Sequence, residues 1–194
     1  MNAQPKPRHC DVCQTLYTPA RMGQKVCGVP CATKSAKKAR KEAIEAARME
    51  RGQDRAKREA MKPRAKWLKE AEREVNKYCR LRDHADGCIS CDKPATWGGQ
   101  WHASHFRSVG ASPATRFNTF NIHKACSICN NHLSGNIGAY EPRLIEKIGR
   151  ARLDMLKSLN HNPRYSIEYL KRLRDVFARR NRRLEKRLEA NSWV

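Results

Sequence analysis

Acidic residues are scarce in this chain. It has 19 aspartates and glutamates against 41 lysines and arginines, a formal net charge of +22 over 194 residues, and a pI near 10.1. Long apolar runs are missing as well, and the opening residues, MNAQPKPRHC, hold no apolar stretch of the kind a secretory leader carries. These absences argue against a membrane span and against export. With 39% hydrophobic and 31% charged residues, one large apolar core is not expected. The length suits one ordinary domain with appendages, or two small ones. What remains is a large positive charge, which repels itself unless a polyanion compensates it. Nucleic acid is the usual polyanion, and a cytoplasmic nucleic-acid partner is expected.

The cysteines are the next signal. Nine are present, and without an export signal they are not expected in disulfides. Eight form close pairs: Cys10/Cys13, Cys27/Cys31, Cys88/Cys91 and Cys126/Cys129. Pairs at this spacing let both thiolates reach one tetrahedral zinc. Two structural zinc ions are therefore expected, one on Cys10, Cys13, Cys27 and Cys31, the other on Cys88, Cys91, Cys126 and Cys129. Cys79 lies on an apolar helical stripe and reads as a buried core thiol.

Four segments are expected. Residues 1–32 form a zinc knuckle whose folding energy must come from the metal, since its linker is too short for a core. It either binds nucleic acid or caps the next helix. Residues 33–63 are rich in alanine, lysine, arginine and glutamate, good helix formers with only Ile44 and Met49 as large apolar residues. They predict a solvated basic helix, ended by Pro63. Residues 64–141 form the core. They begin with a helix over 64–82 whose Leu68, Ala71, Val75 and Tyr78/Cys79 recur at helical spacing. Residues 142–194 predict basic helices near 142–157 and 166–190. The second has Leu170, Leu173, Phe177, Leu184 and Leu188 on one stripe, with Arg179, Arg180, Arg182 and Arg183 between them. No internal repeat is present.

The two central cysteine pairs are too far apart for a minimal zinc ribbon. Between them, GGQWHASHF predicts a short hairpin with glycines at its turn, and CNNHLSGN predicts the start of a helix. The expected class is α+β, with a zinc-clipped ββα core. Asn118 and Asn136 are expected to cap turns.

The order His…Asn…Asn/His, with CSIC followed at once by Asn130, resembles the HNH (His-Me finger) nucleases. The zinc-clipped form is similar to that of the phage endonuclease VII family. The resemblance implies His105 as general base, Asn121 as the Asn that braces the motif, and His102 and Asn130 as ligands of a catalytic divalent ion. Over nearly its full length the chain is similar to the lambdoid phage NinG (Rap) recombination proteins. The stretches KPRAKWLKEAEREVN, CISC and RFNTFNIHKACSICNNHLSGN carry this likeness. It implies a structure-specific endonuclease acting on branched DNA such as Holliday junctions and D-loops, leaving 5′-phosphate and 3′-hydroxyl ends. Other phage recombination proteins are implied as partners. Symmetric cutting of a junction implies a homodimer.

One departure matters. The family's usual aspartate at the His102 position is absent, and Ser104 stands just before the base. The metal identity stays open: Mg²⁺ or Mn²⁺, with softer ions admitted by the imidazole. His132 and His123 are secondary candidates. His132 either joins the metal or touches phosphate, and His123 is either part of the site or exposed on the strand. DNA contacts are expected from Arg107, Arg116, Lys124, Arg179, Arg180, Arg182 and Arg183. The competing reading is a non-catalytic, zinc-dependent binder of branched DNA, or a recruiter of a recombinase, whose nuclease site decayed with the lost carboxylate.

Overall fold

The computed structural model describes residues 6–191. It is mixed α+β, mostly helical with two small sheets, and divides into two compact units between Lys62 and Pro63.

In the first unit, β1 (Arg8–His9) and β2 (Leu16–Tyr17) form a two-rung antiparallel hairpin. Its turn carries Cys10 and Cys13. Helix α1 (Val29–Ala60) starts inside the second cysteine pair, so Cys31 falls in its first turn. Pro30 is tolerated there because the first N–H groups of a helix have no intrahelical partner. Along α1 the buried residue is Cys31, and Ile44 and Met49 are exposed. The helix stops just before Pro63, whose ring disfavours helical geometry in the residue ahead of it.

In the second unit, α2 (Arg64–Arg82) buries Trp67, Ala71, Val75 and Cys79, one residue per turn. The row differs from the expected one by Trp67, which replaces the partly buried Leu68. It packs on α5 (Ile167–Asn191), chiefly through Leu170 and Phe177. A second cluster gathers Phe106, Ala125, Tyr140, Leu144, Leu153 and Leu156.

Between the clusters runs an antiparallel ribbon of β3 (Trp101–His105) and β4 (Ile122–Cys126), with Trp101 opposite Cys126 and His105 opposite Ile122. Alternate residues of a strand face opposite sides. Ile122 enters one cluster and Ala125 the other, which leaves every residue of β4 buried.

Two expectations change here. The glycines of GGQWHASHF do not turn the hairpin, because Gly98 and Gly99 precede β3 and the strands are joined by the long loop 106–121. Gly99 is pinned beneath the Trp97 indole, where a Cβ would collide with the ring. CNNHLSGN does not start a continuous helix either. Ile128–His132 make one wide π turn, and Ser134, Gly135 and Asn136 then take positive φ of 49°, 89° and 48°. Three left-handed residues in succession break the helix. The chain resumes as α3 (Ile137–Ile148), and Gly149, at φ 84°, separates it from α4 (Arg150–Ser158), so the expected helix near 142–157 is two.

Candidate functional site

The Sγ atoms of Cys10, Cys13, Cys27 and Cys31 all lie within 4.8 Å of one another, and so do those of Cys88, Cys91, Cys126 and Cys129. A tetrahedral zinc with Zn–S near 2.3 Å sets its sulfurs about 3.8 Å apart. Cys13 and Cys27 are 3.6 Å apart, Cys27 and Cys31 3.7 Å, and Cys91 and Cys126 3.8 Å. Backbone N–H groups point at the sulfurs. Those of Val12 and Cys27 donate to Cys10 at 3.5 and 3.4 Å, and those of Ser90 and Cys126 donate to Cys88 at 3.4 and 3.2 Å. Burial raises the Cys10 pKa, but the N–H groups of Cys13, Val12 and Cys27 outweigh it and bring the thiol down to about 6. Cys31 is pushed up to about 12, first by Cys13 and Cys27 beside it. Four thiols this close ionise together only around a cation, so the donor set fits two structural zinc ions.

The second cluster fastens the ribbon to the turn beyond Cys129. Ser90, between Cys88 and Cys91, donates its hydroxyl to the Gly135 carbonyl at 2.8 Å. Asn136 returns a bond to the Ser90 carbonyl at 2.7 Å. The left-handed turn is thus tied to the cysteine loop, and Asn130 is held between Cys129 and that turn.

His105 ends β3 at the mouth of a cleft of about 310 Å³, which it lines with Ser104, Ser108, Val109, Asn130, Ser134 and Gly135. Its Nε2 lies 3.2 Å from the Arg116 carbonyl oxygen. A carbonyl only accepts, so Nε2 carries the hydrogen and Nδ1 is the acceptor. Burial lowers the His105 pKa; the Arg116 carbonyl and Glu72 oppose the shift, and the Arg116 charge adds to it. The shift favours the neutral imidazole.

Asn121 is fully buried and does not line the cleft. Its Oδ1 accepts from the Arg107 N–H at 2.8 Å, and its Nδ2 donates to the Arg107 carbonyl at 3.0 Å and to Thr115 Oγ1 at 3.1 Å. It holds both limbs of loop 106–121, and so places the Arg116 carbonyl that orients His105.

His102 and His105 sit at odd spacing on a strand and point to opposite faces. Asn130 links them: it lines the His105 cleft, and its Nδ2 is 3.3 Å from His102 Nδ1. Turning the amide over brings Oδ1 to the same place. His132 ends the π turn exposed.

His123 is buried, which rules out the exposed strand position. Its Nε2 donates to the Phe120 carbonyl at 3.1 Å, and its Nδ1 accepts from Arg82 at 3.0 Å. It belongs to an ionic knot in which Asp83 binds Arg82 at 2.7 Å and Lys147 at 2.9 Å. The Arg82–Asp83 step is a partner set that the sequence did not disclose, since adjacent charges on a helix end carry no distinctive pattern.

The basic residues divide. Arg107 is turned inward: its Nη1 donates to the carbonyls of Leu156, Lys157 and Leu159 at 2.8, 2.9 and 3.1 Å, and its Nη2 to Asn160 at 2.8 Å. It caps α4, whose last carbonyls need donors, and this corrects its expected place among the outward DNA contacts. Lys124 is 5% exposed, in the ribbon interior. Arg116 pairs with Glu72 at 3.2 Å. Arg179, Arg180, Arg182 and Arg183 are exposed on α5, with Arg180 over the Phe177 ring at 5.3 Å. Among the described residues, no helix is long and apolar enough to cross a membrane.

The family model described as Bacteriophage Lambda NinG protein matches residues 2–189. Protein ninG of Escherichia phage lambda is 36% identical over 188 residues, covering 90% of this chain and 91% of its own. Protein ninG of Escherichia phage 933W is 34% identical, covering 94% and 98%. That of Salmonella phage P22 is 42% identical over 115 residues, covering 59% and 56%. No solved structure matches. With one family model spanning nearly the whole sequence, and relatives at this identity over most of their lengths, the chain belongs to the NinG family.

Proposed function

We propose that this protein is a metal-dependent DNA endonuclease of the HNH type, cutting branched intermediates such as Holliday junctions and D-loops during phage recombination. It would act in the cytoplasm of the infected host, beside other phage recombination proteins, as a homodimer where a junction is cut symmetrically. The observation that carries the reading is the contact of His105 Nε2 with the Arg116 carbonyl at the mouth of a cleft. With Nε2 bound to the Arg116 carbonyl, Nδ1 is the proton acceptor, on a neutral imidazole beside a cleft. That is the state a general base needs.

In this reading, His105 Nδ1 takes a proton from water as the oxygen attacks phosphorus, and the 3′-oxygen leaves. Asn121 holds the loop and the base in register. His102 and Asn130 would hold a divalent ion, which neutralises charge on the phosphate and the leaving oxygen when bound. The exposed arginines of α5 would meet the phosphate backbone.

A second reading keeps support from one observation. Among the described residues, the groups of three or more His, Cys, Asp or Glu placed to hold a metal are the two cysteine clusters, and His102 belongs to neither. A zinc-dependent branched-DNA binder without nuclease activity would look the same there. Incubating the protein with a synthetic four-way junction across a panel of divalent ions separates the two. Cutting supports the nuclease, and tight binding without cutting supports the binder.

A further inference from the structure

A second opening lies at the other end of the ribbon from His105. It holds about 430 Å³ and is lined by Lys77 and Arg80 of α2, His84 just beyond it, Trp101 of β3 and Lys124 of β4. Lys124 is the unusual member. Only 5% exposed, it donates from Nζ to the His84 carbonyl at 2.9 Å and sits 4.2 Å from the centre of the Trp101 ring. An ammonium carries three donors. Neither a carbonyl nor a ring face supplies the counter-charge that a buried cation requires. Asp86 and Asp83 act on Lys124 through space, but Asp83 is paired with Arg82 and Lys147, and Asp86 with Lys147. Lys77 holds Glu185 at 2.7 Å, and Arg80 is half-buried beside it. The opening thus brings together two cationic groups, Lys124 and Arg80, one of them nearly buried, and the carboxylates nearest Lys124 are engaged by other cations.

We infer that this notch binds a phosphate group of a nucleic-acid strand, with Lys124 and Arg80 as its charged donors and His84 at its rim. Lys124 already lies against the Trp101 ring, so the notch reads phosphate charge and contributes affinity and placement rather than sequence. Trp101 begins β3 and His105 ends it, a separation of about 14 Å along the strand. A backbone held in the notch would be fixed a short way from the His105 cleft. The phosphate chemistry rests on the notch alone; the nucleic-acid source rests on the reading of the chain as DNA-acting.

The test titrates the zinc-loaded full chain with a duplex oligonucleotide and, separately, with inorganic phosphate. It follows the Trp101 indole N–H and the Lys124 amide by NMR, and duplex affinity against salt by anisotropy. The duplex should move both signals. Arg80→Gln and Lys124→Met should each reduce the slope of log affinity against log salt by about one. If Lys124→Met does not fold, the half-buried Arg80 decides. A bound duplex that moves neither signal, with an unchanged slope for Arg80→Gln, overturns the proposal. Signals that answer to inorganic phosphate but not to duplex overturn the strand assignment and leave a site for free phosphate. If no duplex binds at all, the DNA-acting reading fails with the strand assignment. The phosphate titration then judges the notch: movement supports a phosphate site, and stillness overturns it.

Discussion

The Nε2 atom of His105 lies 3.2 Å from the carbonyl oxygen of Arg116. That contact sets which ring nitrogen is basic, and it gives the pH dependence a sign. Burial holds the folded pKa below the ordinary 6.5. The base is competent only when neutral, so its competent fraction is complete above that value and falls as the solution is acidified below it. The acid limb of kcat/KM for junction cleavage should therefore have its midpoint below 6.5, since kcat/KM reports the free enzyme. The unfolded state binds more protons in this window. The stability tied to His105 is accordingly lost as pH falls from 6.5 to the lower folded value. An acid limb centred above 6.5 would assign the base to another group.

Asn121 is expected to matter through the loop it holds. Asn121→Ala leaves the Arg107 N–H and carbonyl and the Thr115 hydroxyl without their buried partner. A cost of about 3 kcal/mol in urea unfolding should result, together with a loss of cleavage. Asn121→Asp keeps the acceptor but sets a carboxylate against the Arg107 carbonyl, and should rescue little. Unchanged stability in both variants would show that the loop is held by other contacts.

The cysteine clusters were more legible in the sequence than the packing around them. Cysteine pairs announce themselves because the metal fixes ligand spacing, and the two clusters close as their spacing implied. The long helices were legible for similar reasons: Pro63 ends one, and apolar periodicity marks the others. What stayed hidden was tertiary. Nothing in IHKAC tells that β4 is covered on both faces, so the sequence left His123 open to an exposed position and Lys124 read as a DNA contact, although both are buried. Arg107 looked like a phosphate contact because its partners are backbone carbonyls of α4, and carbonyls leave no mark in a sequence. The left-handed run Ser134–Asn136 depends on the Ser90 and Asn136 bonds across the second cysteine cluster, which no local pattern encodes.

Zinc content should be two ions per chain. Cys13→Ser should lower it by one and disturb the N-terminal unit. Cys126→Ser should also lower it by one and unfold the ribbon, since Cys126 is fully buried at the end of β4. Elemental analysis of protein purified without chelator checks this. A value of one or none in the wild type would remove the two-site scheme.

The metal preference turns on His102. Imidazole favours Mn²⁺, Co²⁺ or Ni²⁺ over Mg²⁺, which prefers hard oxygen ligands. Cleavage rate against ion concentration should favour the softer ions in the wild type. His102→Asp should move the preference toward Mg²⁺, and His102→Ala should weaken ion dependence while leaving the His105–Arg116 contact in place. Three superimposable curves would show that His102 does not touch the ion.

The most direct test of the central claim is single-turnover cleavage of an end-labelled four-way junction by the wild type and His105→Ala, with junction binding measured in parallel. Removing a general base typically costs about 10²- to 10⁴-fold in rate. On this account, a loss of that size with binding unchanged is expected if His105 acts on water and does not hold the duplex. A His105→Ala protein that cuts at the wild-type rate, or a wild type that binds the junction and cuts it with no divalent ion supplied, would contradict it.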